Sequence, residues 1–167
     1  MPHLGWVRVG ALMFTLHTVR GTDERREHMT RTASSTRVLV VEDDPSTALM
    51  ILAELGRMHC SVSLVENGLM AVRAWLSALD EQPFDVVVMD INMPVMSGEA
   101  AMHEIRRMEV DLTEPRTPIL AFSASDDTAR TRHWLEMGFD AVLSKPAQLH
   151  RLLAVVQDLT GKTSPAT

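Results

Sequence analysis

The chain has 167 residues, of which 46% are apolar and 23% are charged, and its formal net charge at pH 7 is −6. This size and composition suit one soluble globular domain with extensions. The acidic balance argues against a general nucleic-acid-binding surface, which would be basic. A single cysteine, Cys60, excludes an internal disulfide and fits a reducing compartment. We expect it to be a small, buried, apolar side chain.

The first 35 residues are predicted to lie outside the folded domain. Their apolar stretch, Leu4–Val19, is interrupted by Arg8 and His17 and is too short to span a bilayer comfortably. No clear signal-peptide cleavage site follows it, although an anchor or signal stays an alternative. We therefore expect residues 1–35 to be disordered or to result from an early start codon, with Met29 as another start. The favoured location is cytoplasmic.

The rest of the chain alternates short apolar runs with amphipathic stretches. The apolar runs predict five strands, at Arg37–Val41, Ser61–Val65, Asp85–Met89, Thr117–Phe122 and Asp140–Leu143. The amphipathic stretches predict five helices. The first runs from about Pro45 to Met58 and is expected to face the core with Ala48, Leu49, Leu52 and Leu55, and the second with Ala71, Val72, Trp75, Leu76 and Leu79. The third begins at Gly98, the fourth ends near Gly138, and the fifth is Gln148–Leu159.

Such alternation is typical of a doubly wound α/β domain, here over residues 36–160. It implies a five-stranded parallel sheet with helices on both faces and right-handed crossovers. The polar residues 161–167 are predicted to be a disordered tail.

Polar side chains follow four of the predicted strands at the point where each strand ends. They are Glu42 and Asp43 after the first strand, Asp90 after the third, Ser123 after the fourth and Lys145 after the fifth. Because the carboxyl ends of parallel strands lie at one edge of a sheet, we expect these side chains to meet there. Clustered carboxylates repel one another unless a cation lies among them, and oxygen ligands without Cys or His favour magnesium, Mg²⁺.

Asp90 is the candidate nucleophile of this group. It ends the apolar run Val86–Met89 and precedes a loop that contains Pro94. An aspartate can attack phosphorus and become an acyl phosphate. Lys145 would supply a positive charge to the phosphoryl oxygens, and Ser123 a hydroxyl donor.

The pieces VLVVEDDP, DVVVMDINMPVMSG, PILAFSAS and LSKP resemble the receiver domain of two-component response regulators, in that family's order and spacing. The resemblance covers about residues 36–160 and implies the strand order 2-1-3-4-5. It implies that a histidine kinase or a histidine phosphotransfer protein gives its phosphoryl group to Asp90, with Mg²⁺ as cofactor. A downstream target protein would then be reached by phosphorylation-dependent contact, with no direct contact to nucleic acid or membrane.

The resemblance also gives roles to the acidic residues. Asp90 would be the phosphoacceptor and a metal ligand, and Asp43 would bind Mg²⁺ directly. Glu42 would act largely through water, and the backbone carbonyl of Asn92 would be a further ligand. Asp44 comes one place later, and we assign it to capping the first helix.

The switch elements follow the family only in part. By resemblance, Ser123 would be the switch hydroxyl, Lys145 would pair with the phosphate, and Pro146 would follow a cis peptide bond. The family often has Tyr or Phe three residues before the lysine, where this chain has Val142. The phosphorylation site is thus expected to be intact while the output mechanism stays open. The long, polar connection 110–116 is more similar to receivers attached to hybrid histidine kinases.

Two other functions are alternatives. Val142 is the sequence support for an interaction module that binds its partner without phosphorylation. Asp90 with Asn92 faintly resembles the nucleophile motif of haloacid-dehalogenase phosphohydrolases, although that motif needs an acid at the second position. His103 is expected to be a structural helix residue, not a phosphoacceptor. For Trp134, exposure at a partner-binding side and burial in the core are equally consistent with the pattern.

Overall fold

The computed structural model describes residues 35–58, 60–146 and 148–161. Its strands are β1 (Arg37–Val41), β2 (Ser61–Val65), β3 (Val86–Asp90), β4 (Ile119–Ser123) and β5 (Ala141–Ser144). Its helices are α1 (Pro45–Leu55), α2 (Gly68–Leu79), α3 (Gly98–Leu112), α4 (Thr128–Met137) and α5 (Leu152–Thr160), with short 3-10 turns at Gly56–Met58 and Leu149–Arg151. The predictions for residues 1–34 and for the tail after residue 161 lie outside the described residues.

The five strands form one parallel sheet in the order β2-β1-β3-β4-β5, which confirms the predicted fold class and strand order. Every residue of β3 and β4 is buried, as expected for central strands that are covered on both faces. The register places Asp90 opposite Phe122 on β4. Ser123, one residue further, lies opposite Ser144 on β5. The ends of β3, β4 and β5 therefore lie side by side.

The core lies on both faces of the sheet because successive strand residues point to opposite sides. On one face, Leu39 of β1 packs in a cluster with the large side chains Trp75 and Trp134. On the other face, Val38 packs with Ile51 of α1 and residues of α5. Complete burial of an apolar side chain stabilises a fold by about 1.5–3 kcal/mol, so these two layers hold the helices on the sheet.

Side-chain caps begin four of the helices. Asp44 accepts the backbone N–H of the third residue of α1 at 2.8 Å, which confirms its predicted capping role. Asn67 and Ser97 cap α2 and α3 in the same way. Asp127 caps α4, where its side chain accepts the N–H of Ala129.

Three predicted strands begin one or two residues too early. Asp85, Thr117 and Asp140 precede β3, β4 and β5, because their side chains serve as hydrogen-bond acceptors at the strand starts. The Asp85 carboxylate accepts the N–H of Arg37 at 2.8 Å, and the Asp140 carboxylate accepts the N–H of Ile119 at 2.8 Å. Asp85 and Asp140 therefore fix neighbouring strands instead of continuing their own, whereas the Thr117 hydroxyl accepts the indole N–H of Trp75 from α2.

The helix bounds also differ from the predictions. The first helix changes to a 3-10 turn at Gly56, and the last α-helix begins at Leu152 after another 3-10 turn. Helix α3 extends to Leu112, so the first three residues of the predicted connection 110–116 belong to the helix. None of the described helices combines the length and the apolar character needed to cross a bilayer.

Burial corrects the predicted helix faces at two positions. Leu49 is 51% exposed and Leu76 is 39% exposed, although both were expected to face the core. Ala48, Ile51 and Leu55 form the buried stripe of α1, and Leu49 lies about 100° away from Ala48 around that helix. Trp134 is buried, so it belongs to the core and is not exposed at a partner-binding side.

Cys60 is half-buried, and burial raises the pKa of its thiol.

Candidate functional site

Three carboxylates meet at the carboxyl edge of the sheet. Glu42 and Asp43 directly follow β1, and Asp90 is the last residue of the neighbouring strand β3. One carboxylate oxygen from each residue lies within 4.8 Å of the other two. Glu42 and Asp90 are buried, whereas Asp43 is exposed. The cluster is therefore a partly enclosed acidic group with one side open to solvent.

Lys145 brings a positive charge to this cluster from the end of β5. Its Nζ atom lies 2.6 Å from Glu42 Oε2 and 3.1 Å from Asp90 Oδ1. The ammonium also lies 5.5 Å from the ring centroid of Phe122, which covers it from the β4 side. One lysine faces three carboxylates, so the group keeps an excess of negative charge.

Glu42 is the most enclosed of the three acids. Its burial raises the pKa of its carboxyl group, while the hydrogen bond and the charge of Lys145 oppose that increase. Glu42 Oε1 accepts the N–H of Asp44 at 3.2 Å, and Oε2 accepts the lysine ammonium. Both oxygens thus have protein partners, an arrangement that suits contact with a cation through water.

The loop after β3 is packed tightly against the Asp90 backbone. Asp90 Oδ1 accepts the N–H of Asn92 at 3.4 Å, and the N–H of Gly98 donates to the carbonyl of Ile91 at 2.9 Å. A Cβ atom at position 98 would lie 2.1 Å from the Asp90 carbonyl oxygen. A residue without a side chain is therefore required where α3 begins.

Ser123 and Lys145 are linked through their backbones. The N–H of Lys145 donates to the Ser123 carbonyl at 2.7 Å, which brings the ends of β4 and β5 together. The Ser123 side chain is buried, and its Oγ atom accepts the N–H of Ser125 at 3.2 Å. The Lys145–Pro146 peptide bond is cis. Val142, two strands from Asp90, is partly buried against the core.

The donor chemistry of the acidic cluster suits a divalent cation. The group consists of carboxylates alone, and its oxygens are close enough to share one ion. Hard oxygen donors of this kind suit Mg²⁺, which keeps several waters and accepts few protein carboxylates. The cluster of Glu42, Asp43 and Asp90 could therefore bind a metal.

The structure brings most of the predicted site residues together. Glu42, Asp43, Asp90 and Lys145 form one group through their side chains, and Ser123 lies on the strand end between those of β3 and β5.

His103 is exposed on α3.

Sequence reasoning missed two features near the site. The first is the contact of Gly98 with the Asp90 backbone, for which the signal was a glycine directly after the capping serine of α3. The second is a hydrogen bond of 2.7 Å from the Trp134 indole N–H to Glu99 Oε1. Its signal was a tryptophan in helix α4, whose other large apolar side chains are Leu135 and Met137.

Comparison with known protein families gives one matching model. Residues 38–157 match the response regulator receiver domain. Among curated proteins, the sensor protein GacS of Pseudomonas syringae pv. syringae is 36% identical over 125 residues, which cover 75% of this chain. The chain spans 13% of the length of that protein and 14% of its counterpart from Pseudomonas protegens, so it matches only a small part of either.

Solved structures give the same family. The receiver domain of sensor histidine kinase PA1611 from Pseudomonas aeruginosa, with a magnesium ion in its active site cleft, has a TM-score of 0.65 and 31% identity, covering 77% of this chain and 100% of that one. The receiver domain of the histidine kinase CKI1 from Arabidopsis thaliana, complexed with Mg²⁺ and BeF₃⁻, has a TM-score of 0.64 and 32% identity, covering 76% and 91%. The chain belongs to the response regulator receiver domains of two-component signalling, and its relatives include receivers of hybrid histidine kinases.

Proposed function

We propose that this chain accepts a phosphoryl group on Asp90. The observation that carries the proposal is the position of the Asp90 carboxylate, 3.1 Å from the ammonium of Lys145 and within 4.8 Å of the oxygens of Glu42 and Asp43. A buried acid beside a lysine, with two further acids that could hold Mg²⁺, can receive a phosphoryl group whose negative charge the lysine and the cation then compensate.

The reaction transfers the phosphoryl group between side chains. An oxygen of the Asp90 carboxylate attacks phosphorus of a partner's phosphohistidine, and the phosphorus–nitrogen bond breaks. The electron pair of that bond stays on the imidazole nitrogen, which takes up a proton. The product is an acyl phosphate on Asp90 and a neutral histidine on the partner.

Four residues would hold the metal. The carboxylates of Asp43 and Asp90 and the backbone carbonyl of Asn92 would be direct ligands, and Glu42 would act largely through water. When bound, Mg²⁺ supplies positive charge to the oxygens of the phosphoryl group.

Lys145 and Ser123 act after transfer in this proposal. The Lys145 ammonium, which contacts Asp90 already, pairs with the new phosphate. The Ser123 hydroxyl, whose oxygen accepts the N–H of Ser125, donates its hydrogen to a phosphoryl oxygen. Because Ser123 ends β4 and Lys145 follows β5, these contacts pull two strand ends toward Asp90.

The proposed module consists of residues 36–160, with extensions on either side, and works in the cytoplasm. Its phosphodonor is a histidine kinase or a histidine phosphotransfer protein. The signal leaves by phosphorylation-dependent contact with a target protein, without direct binding of nucleic acid or membrane. The histidine kinases among the relatives support this choice of donor.

The test is phosphate incorporation into the full chain, measured by intact mass after incubation with acetyl phosphate and Mg²⁺. The wild type is expected to gain one acid-stable, hydroxylamine-labile phosphoryl group. Asp90→Asn should gain none, whereas the exposed control Asp111→Asn should label like the wild type. Chelation of the metal is expected to abolish labelling. Unchanged labelling of Asp90→Asn would overturn the proposal, and Asp90-dependent hydrolysis of a simple phosphomonoester would indicate a phosphohydrolase instead.

Val142 favours a second candidate, an interaction module that does not need phosphorylation. Its side chain is aliphatic and packs against the core, so it offers no aromatic ring that could change its position on activation. Affinity for the partner with and without beryllofluoride discriminates between the two functions. Equal affinities support the second candidate.

A further inference from the structure

Helix α4 buries few of its side chains in the described fold. Of its ten residues, Trp134 alone is buried, with 3% of its surface exposed. The indole ring packs in the core cluster on the α2–α3 side of the sheet, where Val142 is also packed. The position of this helix therefore depends largely on the contacts of this ring, with Met137 partly buried against the same cluster.

The polar atom of that ring has one specific partner. Trp134 Nε1–H donates to Glu99 Oε1 at 2.7 Å, across from α4 to the first turn of α3. A hydrogen bond to a carboxylate is stronger than one between neutral groups, and here it is partly shielded from water. It fixes α4 relative to the beginning of α3.

The beginning of α3 is in turn fixed to Asp90. Gly98, the residue before Glu99, donates its N–H to Ile91 and leaves no space for a Cβ atom beside the Asp90 carbonyl. A shift of the backbone at Asp90 therefore displaces Gly98, and with it Glu99. A continuous series of contacts leads from Asp90 through Gly98 and Glu99 to Trp134.

The start of α4 is connected to the site by a second series of contacts. Ser123 Oγ accepts the N–H of Ser125, and Ser125 Oγ accepts the N–H of Asp127, the cap of α4. A change at Ser123 therefore acts on the first turn of the helix, while a change at Asp90 acts on its middle through Trp134. Both series of contacts therefore end on helix α4, of which one residue is buried.

We propose that the Trp134–Glu99 hydrogen bond couples phosphorylation of Asp90 to the position of helix α4. This inference rests on the proposed phosphoacceptor function and names the route by which the signal reaches the surface. The charge and the contacts of Asp90 change on phosphorylation, the start of α3 shifts with its backbone, and the hydrogen bond transmits that shift to α4. The nine other residues of α4 are exposed or half-buried, so their surface changes with the helix.

The direct test observes the indole N–H groups in a ¹H–¹⁵N correlation spectrum of the full chain. The chain has three tryptophans, and a Trp→Phe substitution at each assigns its signal. Saturation of Asp90 with beryllofluoride and Mg²⁺ is expected to move the Trp134 signal. The Trp75 indole, which donates to Thr117 Oγ1 at the start of β4, is expected to stay in place. An unmoved Trp134 signal, with the amides around Asp90 shifted, would overturn the coupling.

Substitutions at Glu99 test the hydrogen bond without removing the ring. Glu99→Gln keeps an acceptor oxygen and is expected to keep the response of α4 to beryllofluoride. Glu99→Ala removes the acceptor, and the shifts of the α4 amides should fall to less than about half of their wild-type size. Undiminished α4 shifts in Glu99→Ala would contradict the proposal. Glu99 is only partly buried, so we expect this variant to fold like the wild type and its spectrum to be comparable.

Coupling is reciprocal, so the same bond must affect binding at Asp90. Trp134→Phe keeps the buried ring but removes its N–H, and it should change the affinity for beryllofluoride by about fivefold or more. The matched variant Trp75→Phe should change it by less than about twofold. A change in Trp134→Phe no larger than in Trp75→Phe would overturn the coupling. Failure of the wild type to bind beryllofluoride or to be phosphorylated would instead overturn the proposed function itself.

Discussion

Lys145 and Glu42 form an ion pair of 2.6 Å between Nζ and Oε2, although the strands that precede them are separated by β3 and β4. The Glu42 side chain is only 1% exposed, so its carboxylate depends on this partner for charge compensation. The same ammonium lies 3.1 Å from Asp90 Oδ1. One lysine therefore serves two buried acids and joins the ends of β1, β3 and β5.

Removal of the lysine charge is expected to destabilise the fold. Lys145→Met leaves the buried Glu42 carboxylate without its cation, and the free energy of unfolding should fall by about 2 kcal/mol, less than for a fully enclosed pair. Glu42→Gln in the same background removes the unpaired charge and should restore part of that loss. Urea unfolding measures all three proteins. A double variant less stable than Lys145→Met alone would contradict this account.

The close contact between Gly98 and the Asp90 carbonyl predicts a sharp difference between two glycines. Gly98→Ala places a methyl group 2.1 Å from that oxygen and should lower the free energy of unfolding by about 2–3 kcal/mol. Gly56→Ala is the control, because no atom lies within 4 Å of its Cβ position and its backbone is helical. It should stabilise the protein by about 0.5–1 kcal/mol. Thermal unfolding checks both, and equal effects would exclude the steric explanation.

Much of the fold and of the site could be predicted because the signals are local. β-Branched runs such as Arg37–Val41 indicate buried strands by themselves. A parallel sheet then places the residues after its strands at one edge, which was enough to group Asp43, Asp90 and Lys145. The strand order came from the family resemblance, not from the composition of any strand.

The rest depends on side chains that meet from distant parts of the chain. The orientation of α1 on the sheet decides whether Leu49 faces the core. The buried face of this helix includes Ile51 and excludes Leu49. The partnership of Trp134 with Glu99 joins residues 35 positions apart, and neither residue signals the other. The start of β5 was misplaced for the same reason, since Asp140 makes its hydrogen bond to a different strand.

Arg106 joins three parts of the fold at the edge of the sheet opposite the acidic cluster. Its Nη1 atom lies 2.8 Å from Glu109 Oε2, and its Nη2 atom lies 2.7 Å from Asp140 Oδ2. The guanidinium also donates to the carbonyls of Thr117 and Gly138 at 2.8 and 3.2 Å. This planar group therefore fastens α3 to the starts of β4 and β5.

The neighbouring arginines of α3 offer a matched comparison. Arg106→Lys keeps the charge but loses the fork of donors, so the free energy of unfolding should fall by about 2–3 kcal/mol. Arg107→Lys affects exposed ion pairs with Glu104 and Asp111 and should cost less than about 0.5 kcal/mol. Chemical unfolding measures both variants. Similar losses would show that the buried contacts of Arg106 contribute no more than exposed ones.

Val95 has an unfavourable backbone conformation in the loop between Asp90 and α3. Its φ angle is +69°, in the left-handed region that a β-branched residue rarely adopts, and the residue is 79% exposed. Little packing therefore compensates for the backbone cost at this position.

Val95→Asn is expected to raise the free energy of unfolding by about 1 kcal/mol, because asparagine tolerates the left-handed conformation. Val110→Asn is the control: that valine is 80% exposed but lies within helix α3. Valine and asparagine have similar helix propensities, so its effect should stay within about 0.5 kcal/mol. Thermal unfolding at equal ionic strength compares them. Because the two residues are almost equally exposed, a stabilisation confined to position 95 must come from its backbone. An equal gain in stability at position 110 would show instead that removal of an exposed apolar side chain is the cause.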